Sequence, residues 1–240
     1  MPFRNSVTIV ASPRPRVGKT LLARLLIDFN LHEGRDVSGF DLNPGEGVLA
    51  QFLPAHAAVA AIADIKGQMA LFDRLIAEDG GPKVVDLGHE SFAAFFAVAG
   101  KIGFAEEARR RAIAPAVLYF MTPDATSVEA YDSLRQRFPE MTITPVQNEL
   151  FASPHRGENF PRKQSHVPGL RFPALALGLR RYIETPPFSF SAERLANLEE
   201  IPLDTQAELQ RWLRKAYREF REFDLRVLLA DLQTSLRLPS

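Results

Sequence analysis

The chain has 240 residues, 46% of them hydrophobic and 24% charged, with 29 basic and 29 acidic side chains and no cysteine. That length and apolar content predict one globular domain spanning 1–240 and exclude global disorder. A net charge of zero argues against wholesale electrostatic capture of nucleic acid, and the missing cysteines exclude disulfides, thiolate chemistry and cysteine-ligated metal centres.

Val7 to Ala11 is a continuous apolar run rich in β-branched residues, which predicts a short strand buried on both faces. The loop SPRPRVG follows, and Lys19-Thr20 opens a helix in which Leu22, Leu25, Leu26 and Phe29 recur at helical spacing, with Gly34 as its stop. VSGFDL reads as the second strand, and Asn43-Pro44-Gly45 as a turn. Residues 59–78 predict a helix with Ile62, Ile65, Met69, Phe72, Leu75 and Ile76 on its apolar stripe. Lys83 to Gly88 is a short strand carrying Asp86, and a helix is expected over 90–111. Another strand, 116–122, leads into a helix over 124–137 with Asp124 as its cap, and 141–148 is a strand ending on Asn148.

The rhythm breaks at 150–169, a segment with three prolines, two histidines and three basic residues that reads as an exposed loop. A short strand and helix follow, then a linker at Pro186-Pro187 and a short helix over 191–199. Residues 205–232 predict a long amphipathic helix, with Leu209, Trp212, Leu213, Ala216, Tyr217, Phe220, Phe223, Val227 and Leu228 near one stripe. Arg211, Arg214, Lys215, Arg218 and Arg221 lie opposite it, diluted by acidic neighbours. The alternation of strands and helices predicts an α/β fold of three layers, α/β/α, with a mostly parallel sheet of about six strands. No apolar run reaches about 18 uncharged residues, so no spanning helix is predicted, and a cytoplasmic protein without membrane contact is the expectation.

The sharpest local signal is Val17-Gly18-Lys19-Thr20, after a strand and at the start of a helix. A phosphate loop needs inward backbone N–H groups, a helix N-terminus, a lysine reaching the phosphates and a hydroxyl for Mg²⁺. Gly18, Lys19 and Thr20 supply the end of the pattern G-x-x-x-x-G-K-[ST], but Pro13 stands where the first glycine belongs. Pro15 has no N–H to donate, and Arg16 at a positive φ would cost about 1 kcal/mol. The competing reading is a plain strand-to-helix turn with an exposed lysine. His89 follows the third strand closely enough to lie in the site, or is an ordinary turn residue. His155 and His166 lack a third ligand at zinc spacing.

Together these landmarks resemble the ParA/MinD family of P-loop ATPases, whose loop reads K-G-G-x-G-K-[ST]. Here that stretch is Arg14-Pro15-Arg16-Val17-Gly18-Lys19-Thr20. Asp41-Leu42-Asn43-Pro44 matches the family's D-x-D at the second strand end, Asp86 its later strand-end aspartate, and Asn148 the asparagine that recognises adenine. The resemblance covers about residues 5 to 185. It implies an ATP-binding, Mg²⁺-dependent switch that forms a homodimer on nucleotide binding and positions or partitions a protein cargo. It implies that Lys19 holds the β/γ-phosphates, that Thr20 and Asp86 serve Mg²⁺, and that Arg16, Val17 and Gly18 line the phosphates. Asp41 and Asn43 fall near the γ-phosphate, and Arg14 takes the place of the lysine that crosses the dimer. Asn43, where the family often has a carboxylate, implies slow or absent hydrolysis. Non-specific DNA contact, a non-hydrolysing scaffold for protein partners, and an ATP-dependent metabolic enzyme on the same frame stay open as alternatives.

Overall fold

The computed structural model describes residues 5–45, 47–150, 169–191 and 202–236. Within them are seven strands: β1 (Ser6–Ala11), β2 (Ser38–Leu42), β3 (Ala57–Val59), β4 (Lys83–Leu87), β5 (Ala114–Phe120), β6 (Thr142–Asn148) and β7 (Leu170–Phe172). They form one sheet in the order β3-β2-β4-β1-β5-β6-β7, and every pairing is parallel. The helices are α1 (Lys19–His32), α2 (Val48–Phe52), α3 (Ile65–Leu75), α4 (Phe92–Lys101), α5 (Phe104–Arg110), α6 (Ala125–Arg137), α7 (Leu177–Ile183) and α8 (Leu203–Leu236).

Strand residues alternate between two apolar cores, because successive side chains leave a strand on opposite faces. Val10, Leu118, Phe120 and Phe172 face a core shared with α1, α2, α7 and α8. Ile9, Phe40, Val85, Leu87 and Tyr119 face the other core, closed by α3, α4, α5 and α6. This is the expected three-layer α/β/α arrangement, with both faces of a parallel sheet covered. The long terminal helix lies over β7 and α1. Phe29 of α1 meets Tyr217 and Phe220 at ring separations of 5.3 and 5.5 Å, and Trp212 donates from Nε1 to the Pro173 carbonyl at 3.1 Å. Glu219, buried on α8, accepts from the backbone N–H of Arg171 at 3.0 Å. That bond closes a donor on the sheet's edge strand that would otherwise be open to another chain.

Several expectations change. The stretch 59–78 is helical only from Ile65 to Leu75. Val59 ends strand β3, Asp64 caps α3 by accepting from Gly67 N at 2.8 Å, and Ile65 and Met69 are exposed, not core. The helix expected over 90–111 is two, because the chain turns at Ile102–Gly103, where Gly103 takes φ 63°. Leu228 leaves the buried stripe of α8. The loop expected over 150–169 and the helix over 191–199 fall almost wholly outside the described residues. Among the described residues no helix is long and apolar enough to cross a membrane.

Candidate functional site

The site sits at the C-terminal ends of the central strands, the place where open parallel sheets leave a crevice. After β1, Ser12 anchors the turn. Its Oγ donates to the Phe120 carbonyl at 3.1 Å and accepts from Arg14 N at 3.2 Å. The loop then needs two left-handed residues, Arg16 at φ 57° and Gly18 at φ 105°. Gly18 is favoured by its backbone first and by close neighbours second. Its φ suits glycine, and a Cβ there would stand 3.2 Å from Asn148 Nδ2 and 3.4 Å from the Phe172 ring. Arg16 has no such freedom, and its conformation costs about 1 kcal/mol.

Lys19, the first residue of α1, is buried, and its Nζ donates to the Arg14 carbonyl at 2.7 Å. Burial lowers its pKa from the ordinary lysine value, opposed by the charge of Asp86. Thr20 Oγ1 donates to Asp86 Oδ2 at 2.7 Å, and Asn43 Nδ2 donates to the same oxygen at 2.9 Å. Asp86 is wholly buried at the end of β4, and its Oδ1 has no hydrogen-bond partner among the described residues. Burial pushes its carboxyl up to about 6, helped by nearby Asp41 and opposed by the hydrogen bonds from Thr20 and Asn43.

Asp41 is also fully buried, with both oxygens engaged. Oδ1 accepts from Asn43 N at 3.0 Å and Asn43 Nδ2 at 2.8 Å, and Oδ2 accepts from Ala50 N at 3.2 Å. It therefore ties the turn after β2 to α2, and Asn43 bridges the two strand-end carboxylates. On the other side, Asn148 Nδ2 donates to the Val17 carbonyl at 3.1 Å, and its Oδ1 accepts from Leu150 N at 2.9 Å.

A cavity of about 760 Å³ opens over this cluster, within the usual range for small-ligand sites. Arg16, Val17, Gly18, Lys19, Thr20, Asn43 and Asn148 all line it. Asp41, Asp86 and Arg14 do not. Arg14 turns instead to Asp124, the cap of α6, donating from Nε at 2.9 Å and also from Nη2. Asp124 accepts further bonds from Thr122 Oγ1 at 2.6 Å and Ser127 N at 3.1 Å. The Arg14 guanidinium holds the Asp124 carboxyl well below the usual carboxylate range. His89 lies exposed on the rim. Glu149 pairs with Lys215 of α8 at 2.8 Å.

The donor set suits a phosphate-bound magnesium ion. Mg²⁺ takes hard oxygen ligands and keeps several waters, using one or two protein oxygens beside the phosphates. The Thr20 hydroxyl and the unpartnered Asp86 Oδ1 are such oxygens. Among the described residues no group of three or more acidic, histidine or cysteine side chains could hold a metal without that help.

Two buried charges of α1, Arg24 on the cavity wall and Asp28 behind it, were not singled out in the sequence. Arg24 is 3% exposed, stacks 3.5 Å from the Phe52 ring centroid, and donates to the Ile183 carbonyl at 2.8 Å. Burial lowers its pKa to about 10. One turn on, Asp28 accepts from Ser189 Oγ at 2.6 Å and Phe190 N at 2.8 Å. Two charges inside the apolar run LLARLLIDF were the readable signal.

No family model matches the chain, and no curated protein matches it. Among solved structures, the septum site-determining protein MinD of Pyrococcus horikoshii, complexed with Mg-ADP, is similar at 12% identity and TM-score 0.53, over 92% of this chain and 96% of that one. At that identity the likeness establishes a shared fold. The MinC:MinD cell division complex of Aquifex aeolicus (16% identity, TM-score 0.37, 60% of this chain and 68% of that one) is more distant. So is a nucleotide-binding protein of Archaeoglobus fulgidus in complex with ADP (14%, TM-score 0.38, 88% of each chain).

Proposed function

We propose that the chain is an ATP-binding molecular switch of the ParA/MinD type, one that dimerises on nucleotide binding and turns ATP over slowly or not at all. The observation that carries this reading is the convergence of Lys19, Thr20, Asn43 and Asp86 at one helix N-terminus beneath an open cavity. Lys19 exchanges the Arg14 carbonyl for β- and γ-phosphate oxygens. Backbone N–H groups of Val17 to Thr20 and the α1 dipole face the same anions. Thr20 and Asp86 would hold Mg²⁺, which neutralises phosphate charge when bound. Asn148 meets the base beside Val17.

Slow turnover follows from which groups are free. Asp41 spends both oxygens on the turn it holds, and Asn43 has no proton-accepting carboxylate to offer an attacking water. Phosphoryl transfer needs that water aligned and the developing charge neutralised. Arg14 is the cation for the second task. Leaving Asp124, it reaches the phosphates, in its own subunit or across the dimer. A cargo read from the dimer completes the switch, and the absence of net charge gives non-specific DNA no large role in it.

Light scattering tests the reading. The parent chain doubles its mass on adding ATP-Mg²⁺, and Arg14→Ala stays monomeric at the same protein concentration. A parent chain whose mass ignores nucleotide refutes the switch.

A further inference from the structure

The cavity lining is strongly biased in charge. Arg16, Lys19, Arg24 and Arg180 contribute cations, and among the described residues Glu184 is the single carboxylate. A carboxylate facing phosphate would repel it, so Glu184 must meet a neutral, hydrogen-bond-donating part of the ligand. Glu184 ends α7, with its backbone N–H bonded to the Arg180 carbonyl at 3.0 Å. Arg180 thus stands one turn before it, at the spacing where helical ion pairs form. Yet the two make no ion pair, and the Glu184 side chain has neither hydrogen bond nor ion pair with a described residue. The nearby Arg24 guanidinium feels its charge, yet its Nη2 donates to the Ile183 carbonyl and it forms no ion pair with Glu184. The Glu184 lone pairs are open to the cavity.

Position supplies the ligand's chemistry. The phosphate end of the cavity is Arg16 to Thr20. The flat apolar walls of Phe172, Pro173 and Leu175 lie beside Asn148, where a base would sit. What joins a base to phosphates is a sugar with vicinal hydroxyls, and a strand- or helix-end carboxylate is the side chain that reads them. We propose that Glu184 is the sugar-reading residue of the cavity, accepting hydrogen bonds from the 2′- and 3′-hydroxyls, so that the ligand class is ribonucleotides and not deoxyribonucleotides. This rests on the nucleotide-binding reading above.

Isothermal titration of the full chain with ATP, 2′-deoxy-ATP and 3′-deoxy-ATP, each with Mg²⁺, tests it. The parent chain binds ATP about tenfold to hundredfold more tightly than either deoxy analogue, the worth of a hydrogen bond to a charged acceptor. Glu184→Ala binds all three ligands alike, weakening ATP most and each analogue less, because each analogue keeps one hydroxyl for the carboxylate. Glu184→Gln, which keeps one acceptor oxygen, retains part of the preference. Glu184 is exposed, so the apo variants should melt with the parent. Equal binding of ATP and 2′-deoxy-ATP by the parent overturns the inference and leaves nucleotide binding standing. So does a preference that survives in Glu184→Ala. If the parent binds none of the three, the nucleotide reading itself falls, and this inference with it.

Discussion

Replacing Asp86 with Asn should stabilise the protein at neutral pH while abolishing Mg²⁺-dependent nucleotide binding. The carboxyl is wholly buried, and its pKa is pushed up to about 6 from 3.8. In the fold the proton is released only as pH rises through about 6, whereas the unfolded chain releases it near the ordinary value. The fold therefore binds more protons across that window, and stability falls as pH rises through it. Above it the burden amounts to about 3 kcal/mol. An asparagine carbonyl can accept from both Thr20 and Asn43, as Oδ2 now does. Its amide would occupy the place of the unpartnered Oδ1, at a cost of about 1 kcal/mol. The net gain is about 2 kcal/mol, or about 4–8 °C in Tm for a chain of this size. Calorimetry at about pH 7.5 should show that rise, and at about pH 4, where the parent side chain is neutral too, the gain should be gone and the variant should melt slightly below the parent by no more than the amide's cost of about 1 kcal/mol. A variant that melts below the parent at both pH values would refute the assignment of Asp86 as a buried, destabilising carboxylate.

Three further outcomes follow from local geometry. Arg16→Gly relieves the left-handed conformation, so urea unfolding without ligand should show a gain of about 1 kcal/mol less the entropy of the added glycine, while a phosphate contact is lost. Asp124→Ala removes the α6 cap and should cost about 1 kcal/mol in the same assay, with the half-exposed Arg14 pair adding little. Trp212→Ala opens the contact of α8 with Phe172 and Phe190 and drops the bond to Pro173, so chemical denaturation should show a loss of about 3–5 kcal/mol.

Much of the fold is legible because parallel strands buried on both faces leave continuous apolar runs. β1, β4, β5 and β6 stand out for that reason, and α1 and α8 for their helical stripes. β3 is three residues, Ala57-Ala58-Val59, with only the first buried, too short to show a period. The stripe read over α3 fails because Ile65 and Met69 satisfy helical spacing but are left exposed among the described residues. At the site, glycine, lysine and threonine at fixed spacing announce the loop, since backbone geometry and charge demand those types. The partner of Arg14 does not announce itself, because Asp124 lies 110 positions away and reads as an ordinary helix cap. Glu184 is equally silent. Only the closure of α7 over α1 gives its carboxylate a cavity to face.

The proposed switch requires the Val17–Thr20 backbone to wrap phosphates despite the prolines before it. Thermal unfolding of the parent chain and of Lys19→Ala, with and without ATP-Mg²⁺, is the direct measurement. At nucleotide about 100-fold above Kd the parent should gain about 2.7 kcal/mol, seen as a Tm several degrees higher, and Lys19→Ala should gain almost nothing. A parent melting temperature unmoved by millimolar ATP-Mg²⁺, or an equal rise in both proteins, would contradict it.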